Sequence, residues 1–276
     1  MLQLTKKFSS KRAFITGAAS GLGKEMSLLL AKDGWTIGMS DINETALAQA
    51  AKSVTDAGGK ALTYQLDVAD EQQYTSVVDA YLAKTSGIDV LINNAGVGDG
   101  GGIDEYSLDN WRWMIGINQM GVLYGCYLFV PAMKRQKSGH IINIASAAAF
   151  ASSPKMGAYN MTKAAVRSLS ETLSIELDGD NIDVSVVMPT FIKTNIMQYA
   201  RGTEQATKTG KELLNRTNVT AQVAAIEILT RAGKGELNIV FPREAKIFYA
   251  LKRFMPNTFR KLIMKRFSEF EKELEI

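Results

Sequence analysis

Short apolar segments alternate with longer amphipathic segments along most of this 276-residue chain. The apolar segments predict strands at Ala13–Ile15, Trp35–Met39, Ala61–Leu66, Val90–Ile92, Ile141–Ala145, Val184–Val187 and Leu237–Val240. The amphipathic segments predict helices at Leu22–Lys32, Glu44–Ala57, Glu71–Lys84, Asp109–Gln136, Met156–Leu177 and Thr220–Arg231. This alternation favours an α/β fold with a doubly wound parallel sheet of about seven strands and helices on both faces.

No long stretch rich in proline, serine or charge divides the chain, so the sequence predicts one domain over residues 1–242. A composition of 46% apolar and 22% charged residues is typical of a soluble globular protein. Residues 243–276 differ from the rest, because they hold nine basic and five acidic side chains, whereas the preceding part is balanced. This segment is predicted to be a basic, amphipathic helical extension.

Two interpretations of the extension stay open. Bulky apolar residues recur at helical spacing between its lysines and arginines: Ile247, Leu251, Phe254, Met255, Phe259, Leu262, Ile263, Phe267 and Phe270. A basic amphipathic helix of this kind can lie on an anionic membrane surface. It can equally pack on the body of the protein or on a sister subunit. Membrane contact would favour a lipophilic substrate, and the absence of a recognisable module argues against nucleic acid as a partner.

Other features indicate a cytoplasmic location. The first residues have no apolar stretch typical of a secretory signal. The single cysteine, Cys126, excludes an intrachain disulfide and is expected in the core. The uncharged run from Trp113 to Met133 contains Asn118, Gln119 and Pro131, so a buried helix is favoured over a transmembrane span. The sequence contains one cysteine and one histidine, so no Cys/His cluster is present and no metal site is predicted.

A glycine-rich turn, T-G-A-A-S-G-L-G from Thr16 to Gly23, lies between the first predicted strand and the first helix. Gly17, Gly21 and Gly23 would allow a tight turn and the close approach of a pyrophosphate. The helix that follows would supply amide donors and a favourable dipole. The turn therefore predicts a dinucleotide site.

Asp41 follows the second strand, eighteen residues after Gly23. A carboxylate there can bind both ribose hydroxyls of an adenosine and repel a 2′-phosphate. Ser20, beside the middle glycine, is neutral, so both positions favour NAD over NADP. The other interpretation of Asp41 is a solvated strand end or a helix N-cap.

Tyr159 and Lys163 are four residues apart in a predicted helix and so share one face. A nearby ammonium lowers the pKa of a phenol from its usual value of ~10, which would make Tyr159 a general acid/base. Ser146 ends the fifth predicted strand, where open α/β sheets place their chemistry. A surface contact is the commoner reason for a Tyr and a Lys at this spacing.

Separated motifs in this order resemble the short-chain dehydrogenase/reductase family, roughly from Lys11 to Val240. They are T-G-A-A-S-G-L-G, Asp67-Val68, N-N-A-G at Asn93–Gly96, Asn118, Ser146, Y-N-M-T-K and M-P-T-F-I-K-T. The resemblance implies a Rossmann-type fold, a nicotinamide dinucleotide and a homodimer or homotetramer.

The resemblance also implies the roles of single residues. Tyr159 would be the acid/base, Ser146 would bind the substrate oxygen, Lys163 would hold the nicotinamide ribose, and Asn118 would hold a water linked to Lys163. The cofactor contacts would come from Gly17, Ser20, Gly21, Leu22, Gly23, Asp41, Asp67, Val68, Asn94, Ala95, Gly96, Tyr159, Lys163, Pro189, Thr190, Ile192 and Thr194. Thr190 departs from the glycine that is usual in the family after this proline.

The predicted activity is hydride transfer between NAD and an alcohol or ketone, with a lipophilic substrate of steroid, retinoid or fatty type. Two alternatives stay open: a reductase of 3-oxoacyl thioesters, and a non-catalytic dinucleotide-binding regulator. Residues Phe191–Val219 are polar and predict a mobile lid, and Gly98–Gly102 predicts either a plain loop or a substrate gate. His140, the only histidine, is expected to be structural.

Overall fold

Seven parallel strands form one sheet in the order β3-β2-β1-β4-β5-β6-β7 in the computed structural model. The structure describes residues 1–273, except for the side chain of Glu271. The end of the predicted extension therefore lies outside the described residues. The strands are β1 Arg12–Thr16, β2 Thr36–Asp41, β3 Lys60–Gln65, β4 Val90–Asn93, β5 Gly139–Ile144, β6 Ile182–Pro189 and β7 Asn238–Phe241. The doubly wound, Rossmann-like fold predicted from the sequence is confirmed.

Helices cover both faces of the sheet. They are α1 Gln3–Lys7, α2 Gly21–Ala31, α3 Glu44–Asp56, α4 Glu71–Thr85, α5 Leu108–Ile115, α6 Gly121–Gln136, α7 Ala148–Ala151, α8 Gly157–Glu176, α9 Glu204–Arg216, α10 Ala221–Ala232, α11 Arg243–Phe254 and α12 Pro256–Glu273. The switch in strand order lies between β1 and β4, where a crevice opens at the carboxyl ends of the strands.

Two hydrophobic cores lie on opposite faces, because neighbouring side chains of a strand point in opposite directions. Ala13 and Ile15 of β1 belong to the core under α2, α3 and α10, and Phe14 between them belongs to the core under α4, α6 and α8. Both faces of the central strands are covered, which explains their continuous apolar runs.

The long helix predicted over Asp109–Gln136 contains an unpredicted π-helical turn at Gly116–Met120 between α5 and α6. Among the described residues, Leu108–Gln136 is the one helix long and apolar enough to cross a membrane by length and composition. Phe129 and Cys126 on one side of α6 lie in the core, whereas Leu123 and Tyr127 are exposed. The helix therefore has a core face and an open face.

Three helices, α1, α7 and α9, escaped the sequence prediction. α1 and α7 are too short to show a periodic pattern. α9 lies inside Phe191–Val219, the segment predicted to be a polar lid, and the Thr203 hydroxyl caps it by accepting from Ala206 N at 3.2 Å. Only Thr209 of α9 is buried, which explains why its pattern is so polar.

His140 is fully buried at the amino end of β5, opposite the crevice. Its Nε2 lies 3.0 Å from Ser185 Oγ on β6, and Ser185 Oγ donates to Glu236 O at 2.7 Å. Burial lowers the pKa of His140 to about 4, with a smaller opposing effect of Asp183. This position gives His140 a structural role as a neutral imidazole.

We predict that the stability contributed by neutral His140 is lost as the pH falls from ~6.5 to about 4. The folded pKa lies below the unfolded one, so the unfolded chain binds the proton first in this window and is favoured. In a proton NMR titration, the chemical shift of the His140 imidazole should still be that of the neutral ring at pH 5. His140→Gln should make the free energy of unfolding depend less on pH in this window than it does in the parent. A signal that titrates near pH 6.5 would contradict this assignment.

Candidate active site

One cavity of about 1390 Å³ lies at the carboxyl edge of the sheet. The loops after β1, β2, β3, β4, β5 and β6 bound it, and side chains of α9, α11 and α12 close its far side. Its volume exceeds the ~300–1,000 Å³ of a pocket for one drug-sized ligand. The cavity is therefore large enough for a dinucleotide and a second molecule.

The glycine turn between β1 and α2 requires its glycines. Gly17 and Gly21 have φ of +65° and +51°, the left-handed region that side chains disfavour. A Cβ on Gly23 would lie 2.2 Å from Gly17 O and 2.6 Å from Asn94 Nδ2. The turn thus brings bare backbone and the amino end of α2 to the cavity, which is the arrangement that a pyrophosphate needs.

Thr194 lies directly over this turn. A Cβ on Gly21 would be 3.4 Å from both Cβ and Cγ2 of Thr194. Ser20 occupies the N-cap position of α2, and Leu22, Ile192, Pro189 and Thr190 line the same cavity. Thr190 does not have a positive φ, so its backbone does not require glycine, and its N–H donates to Phe241 O at 3.1 Å.

Asp41 ends β2 beside the glycine turn. Its Oδ2 accepts from Ala19 N at 3.1 Å and its Oδ1 from Asn43 N at 3.0 Å. Asn43, rather than Asp41, caps α3, because its side chain accepts from Ala46 N. Asp67 and Val68 line the cavity near Asp41. The acidic end of this strand thus faces the part of the cavity where an adenosine would lie.

Asn94 joins the loop after β4 to the glycine turn. Its Nδ2 donates to Thr16 O at 2.9 Å and to Gly17 O at 3.0 Å. In return, Thr16 Oγ1 accepts from the backbone N–H groups of Asn94 and Ala95, both at 3.0 Å. These bonds hold the two sides of the crevice at a fixed separation.

Ser146, Tyr159 and Lys163 meet in this cavity. Ser146 follows β5 and its side chain is hydrogen-bonded to Tyr159, while Ser146 Oγ also accepts from Ala148 N at 3.2 Å. Tyr159 and Lys163 lie on one face of α8, with Lys163 Nζ 5.7 Å from the centroid of the tyrosine ring. A hydroxyl, a phenol and an ammonium are thus placed at one point, as their spacing predicts.

The electrostatics of the pair differ from the sequence prediction. Burial raises the pKa of Tyr159, and the hydrogen bond to Ser146 opposes that rise. Burial lowers the pKa of Lys163 to about 8, and its Nζ donates to Ile144 O at 2.9 Å. Because this ammonium is directed at a backbone carbonyl, the predicted lowering of the Tyr159 pKa by Lys163 is not observed.

Asn118 lies in the π-helical turn and is fully buried. Its Oδ1 accepts from Val97 N at 2.8 Å and its Nδ2 donates to Val97 O at 2.9 Å. A Cβ on Gly96 would lie 3.1 Å from Asn118 Oδ1 and 3.5 Å from Lys163 Nζ. The structure therefore brings Asn118 to Lys163, but both ends of its amide are already bound to Val97.

Asp99 was not predicted as a site residue, yet it organises the mouth of the cavity. Its buried carboxylate accepts from Tyr106 Oη at 2.7 Å, from Arg201 N at 2.8 Å and from Gly202 N at 2.9 Å. Gly101 N donates to Lys155 O at 2.7 Å. Gly98–Gly102 is thus held by hydrogen bonds to Arg201, Gly202 and Lys155. The sequence feature that could have revealed this loop is an aspartate among four glycines.

The residues that the structure describes contain no group of three or more His, Cys, Asp or Glu side chains that could hold a metal ion. The bare glycine turn, the amino end of α2 and Asp41 fit a nicotinamide dinucleotide instead.

Comparison with known proteins places this site in a family. A family model described as short chain dehydrogenase matches residues 11–205. The chain is 33% identical to the 3-oxoacyl-(acyl-carrier-protein) reductase FabG of Thermotoga maritima, over 80% of this chain and 89% of that protein. It is 32% identical to cyclopentanol dehydrogenase of Comamonas testosteroni, over 76% of this chain and 85% of that protein.

Similarity also extends to a longer protein and to a solved structure. The chain is 30% identical to the probable oxidoreductase EphD of Mycobacterium tuberculosis over 92% of this chain, but it spans only 44% of the length of that relative. A short chain dehydrogenase/reductase from Burkholderia phymatum, solved in complex with NAD, matches with a TM-score of 0.84 and 31% identity, over 88% of this chain and 92% of that one. On this match and on the geometry of its site, the chain belongs to the short-chain dehydrogenase family.

Proposed function

We propose that this protein transfers a hydride between NAD and an alcohol or ketone. The observation that supports this most is the convergence of Ser146, Tyr159 and Lys163 beside the glycine turn in a single cavity. Cyclopentanol dehydrogenase is similar over 76% of this chain, and its name records oxidation of a secondary alcohol. The intact set of polar groups argues against a purely regulatory dinucleotide-binding protein.

Each side chain has a distinct part in the proposed mechanism. When bound, the nicotinamide accepts or donates the hydride. Ser146 holds the substrate oxygen. In reduction the Tyr159 phenol donates its proton to that oxygen, and in oxidation Tyr159 as a phenolate takes the hydroxyl proton of the alcohol. Lys163, already buried and directed inward, would hold the nicotinamide ribose. Asn118 supports this arrangement by fixing Val97 and Gly96 next to Lys163.

Tyr159→Phe is expected to lower kcat by ~10²–10⁴ while leaving dinucleotide affinity nearly unchanged. The variant removes only the hydroxyl that transfers the proton, so nicotinamide absorbance measures the loss and calorimetry measures the retained binding. Tyr127→Phe is the matched control, because Tyr127 is exposed on α6. Substantial turnover in Tyr159→Phe would remove this tyrosine from the chemistry.

NAD is the proposed cofactor, in preference to NADP. At the end of the cavity lined by Asp41, Ile42, Asn43, Asp67 and Val68, no lysine or arginine is found among the described residues. A 2′-phosphate there would meet the Asp41 carboxylate without a compensating cation.

Asp41→Asn is expected to raise the ratio of kcat/KM for NADP to that for NAD by about tenfold, the effect of removing ~1.4 kcal/mol of repulsion. The amide preserves the shape of the side chain while removing its charge. Asp56→Asn, at an exposed position on α3, should leave the ratio unchanged. A parent enzyme that already prefers NADP would contradict the cofactor assignment.

The proposed substrate is lipophilic, of steroid, retinoid or fatty type. Leu213, Leu214 and Met197 line the cavity on the side away from Asp41. A reductase of 3-oxoacyl thioesters remains the second candidate, because FabG of Thermotoga maritima is 33% identical to this chain. In the family such reductases usually use NADP, so Asp41 favours the first proposal.

We also propose a cytoplasmic homodimer or homotetramer. Leu123 and Tyr127 on α6 and Met161 and Ile175 on α8 are exposed apolar or aromatic side chains. Pairing of α6 and α8 with a second copy would cover them.

Peripheral contact with an anionic membrane is proposed for the outer face of α11 and α12. Ile247, Phe254, Met255 and Met264 are exposed there. Between Lys246 and Arg266 the sequence has seven basic residues and no acidic one. Exposed apolar side chains among cations are the combination that binds an anionic lipid surface.

Arg260→Glu with Lys261→Glu is expected to weaken binding to phosphatidylserine vesicles by about 30-fold or more, since each basic residue near the surface contributes ~1 kcal/mol. Sedimentation with vesicles measures the change. The control, Lys32→Glu with Lys60→Glu, makes the same change in charge at exposed positions elsewhere. Equal sedimentation of both variants and the parent would exclude membrane contact through the tail.

A further inference from the structure

Helices α11 and α12 form a hairpin that packs beside α7 and α8. Ala245 and Phe259 are each only 1% exposed. The Tyr249 ring meets the Phe150 ring edge-on at 5.1 Å, and Tyr249 Oη accepts from Arg167 Nη2 on α8 at 2.9 Å. The hairpin is therefore fastened to α7, which follows Ser146, and to α8, which carries Tyr159.

Apolar side chains of this hairpin line the same cavity as Ser146 and Tyr159. They are Phe248, Phe259, Ile263, Phe267 and Phe270. All except Phe259 are only half-buried, although they are bulky and apolar. Because an apolar wall inside a cavity stabilises a ligand by removing its hydrocarbon from water, this wall is complementary to an uncharged, apolar group.

Arg216 ties the hairpin to α9 across the cavity. Its Nε and Nη1 donate to Glu212 and Glu273, both at 2.9 Å, and its guanidinium lies 4.9 Å from the Phe270 ring centroid. Glu212 is on α9 and Glu273 is on α12, so a single cation bridges the two helices. Arg216, Arg266, Glu269 and Glu273 also line the cavity, so the apolar side chains of the hairpin form one part of a wall that also carries charged groups.

We propose that α9, α11 and α12 form a distal subsite that binds the hydrocarbon portion of the substrate. This portion extends away from the reacting carbon, which lies beside Tyr159 and Ser146. This inference rests on the proposed function and names its substrate class: a secondary alcohol or ketone with a long aliphatic chain. The family model ends at residue 205, so this wall is formed by a part of the chain that the model does not cover.

The test measures kcat/KM with NAD for 2-alkanols from 2-butanol to 2-dodecanol. In the parent, kcat/KM should rise by about fourfold for each added methylene until the subsite is filled. Ile263→Trp should fill the subsite and lower the ratio of kcat/KM for 2-dodecanol to that for 2-butanol by about 16-fold, the effect of two methylenes. Met264→Trp, at the next and exposed position of α12, is the matched control and should leave the ratio unchanged.

Binding is measured separately, so that failure of this inference can be distinguished from failure of the proposed function. In a Tyr159→Phe background, calorimetry should detect 2-dodecanone binding that Ile263→Trp weakens and Met264→Trp preserves. If no alkanol or ketone is turned over, the proposed function fails. The difference in 2-dodecanone affinity between Ile263→Trp and Met264→Trp then still shows whether the subsite exists. Should Ile263→Trp not fold, Phe270→Ala removes part of the wall and should lower the same ratio. A chain-length dependence identical in parent and folded variants would overturn the proposal.

Discussion

The hydrogen bonds between Thr16 and Asn94 are the constraint on which the rest of the site depends. They join the loops after β1 and β4, the two strands on either side of the switch in strand order. One loop carries the glycine turn, and the other leads through Gly96 to the neighbourhood of Lys163. Because the cavity lies at the carboxyl edge of the sheet, this link sets the distance between the glycine turn and the side of the crevice that holds Tyr159 and Lys163.

Much of the fold and of the site could be predicted from the sequence, for physical reasons that are easy to name. Central strands of a parallel sheet are covered on both faces, so β4 and β5 appear as unbroken apolar runs. Gly23 has no room for a side chain, and Tyr159 and Lys163 share a face because of helical periodicity. These features depend on local spacing, which a single sequence contains.

The remainder depends on contacts between distant residues. The π-helical turn around Asn118 is associated with a pairing to Val97, which lies far away in the sequence. The direction of the Tyr159 pKa shift depends on burial, which outweighs the hydrogen bond to Ser146, and spacing reveals neither. Likewise, the apolar residues of the C-terminal extension recur at helical spacing, but spacing does not show that some of them line a cavity.

The Asp99 carboxylate has a further mechanical consequence. It holds Arg201 and Gly202 of the segment over the cavity, and the same glycine loop is bonded through Gly101 to Lys155, just before α8. These segments are therefore linked to one another through one carboxylate, and to the start of the helix that carries Tyr159 through one backbone hydrogen bond. The shape of the cavity mouth and the position of the start of α8 thus depend on the same glycine loop and its buried aspartate.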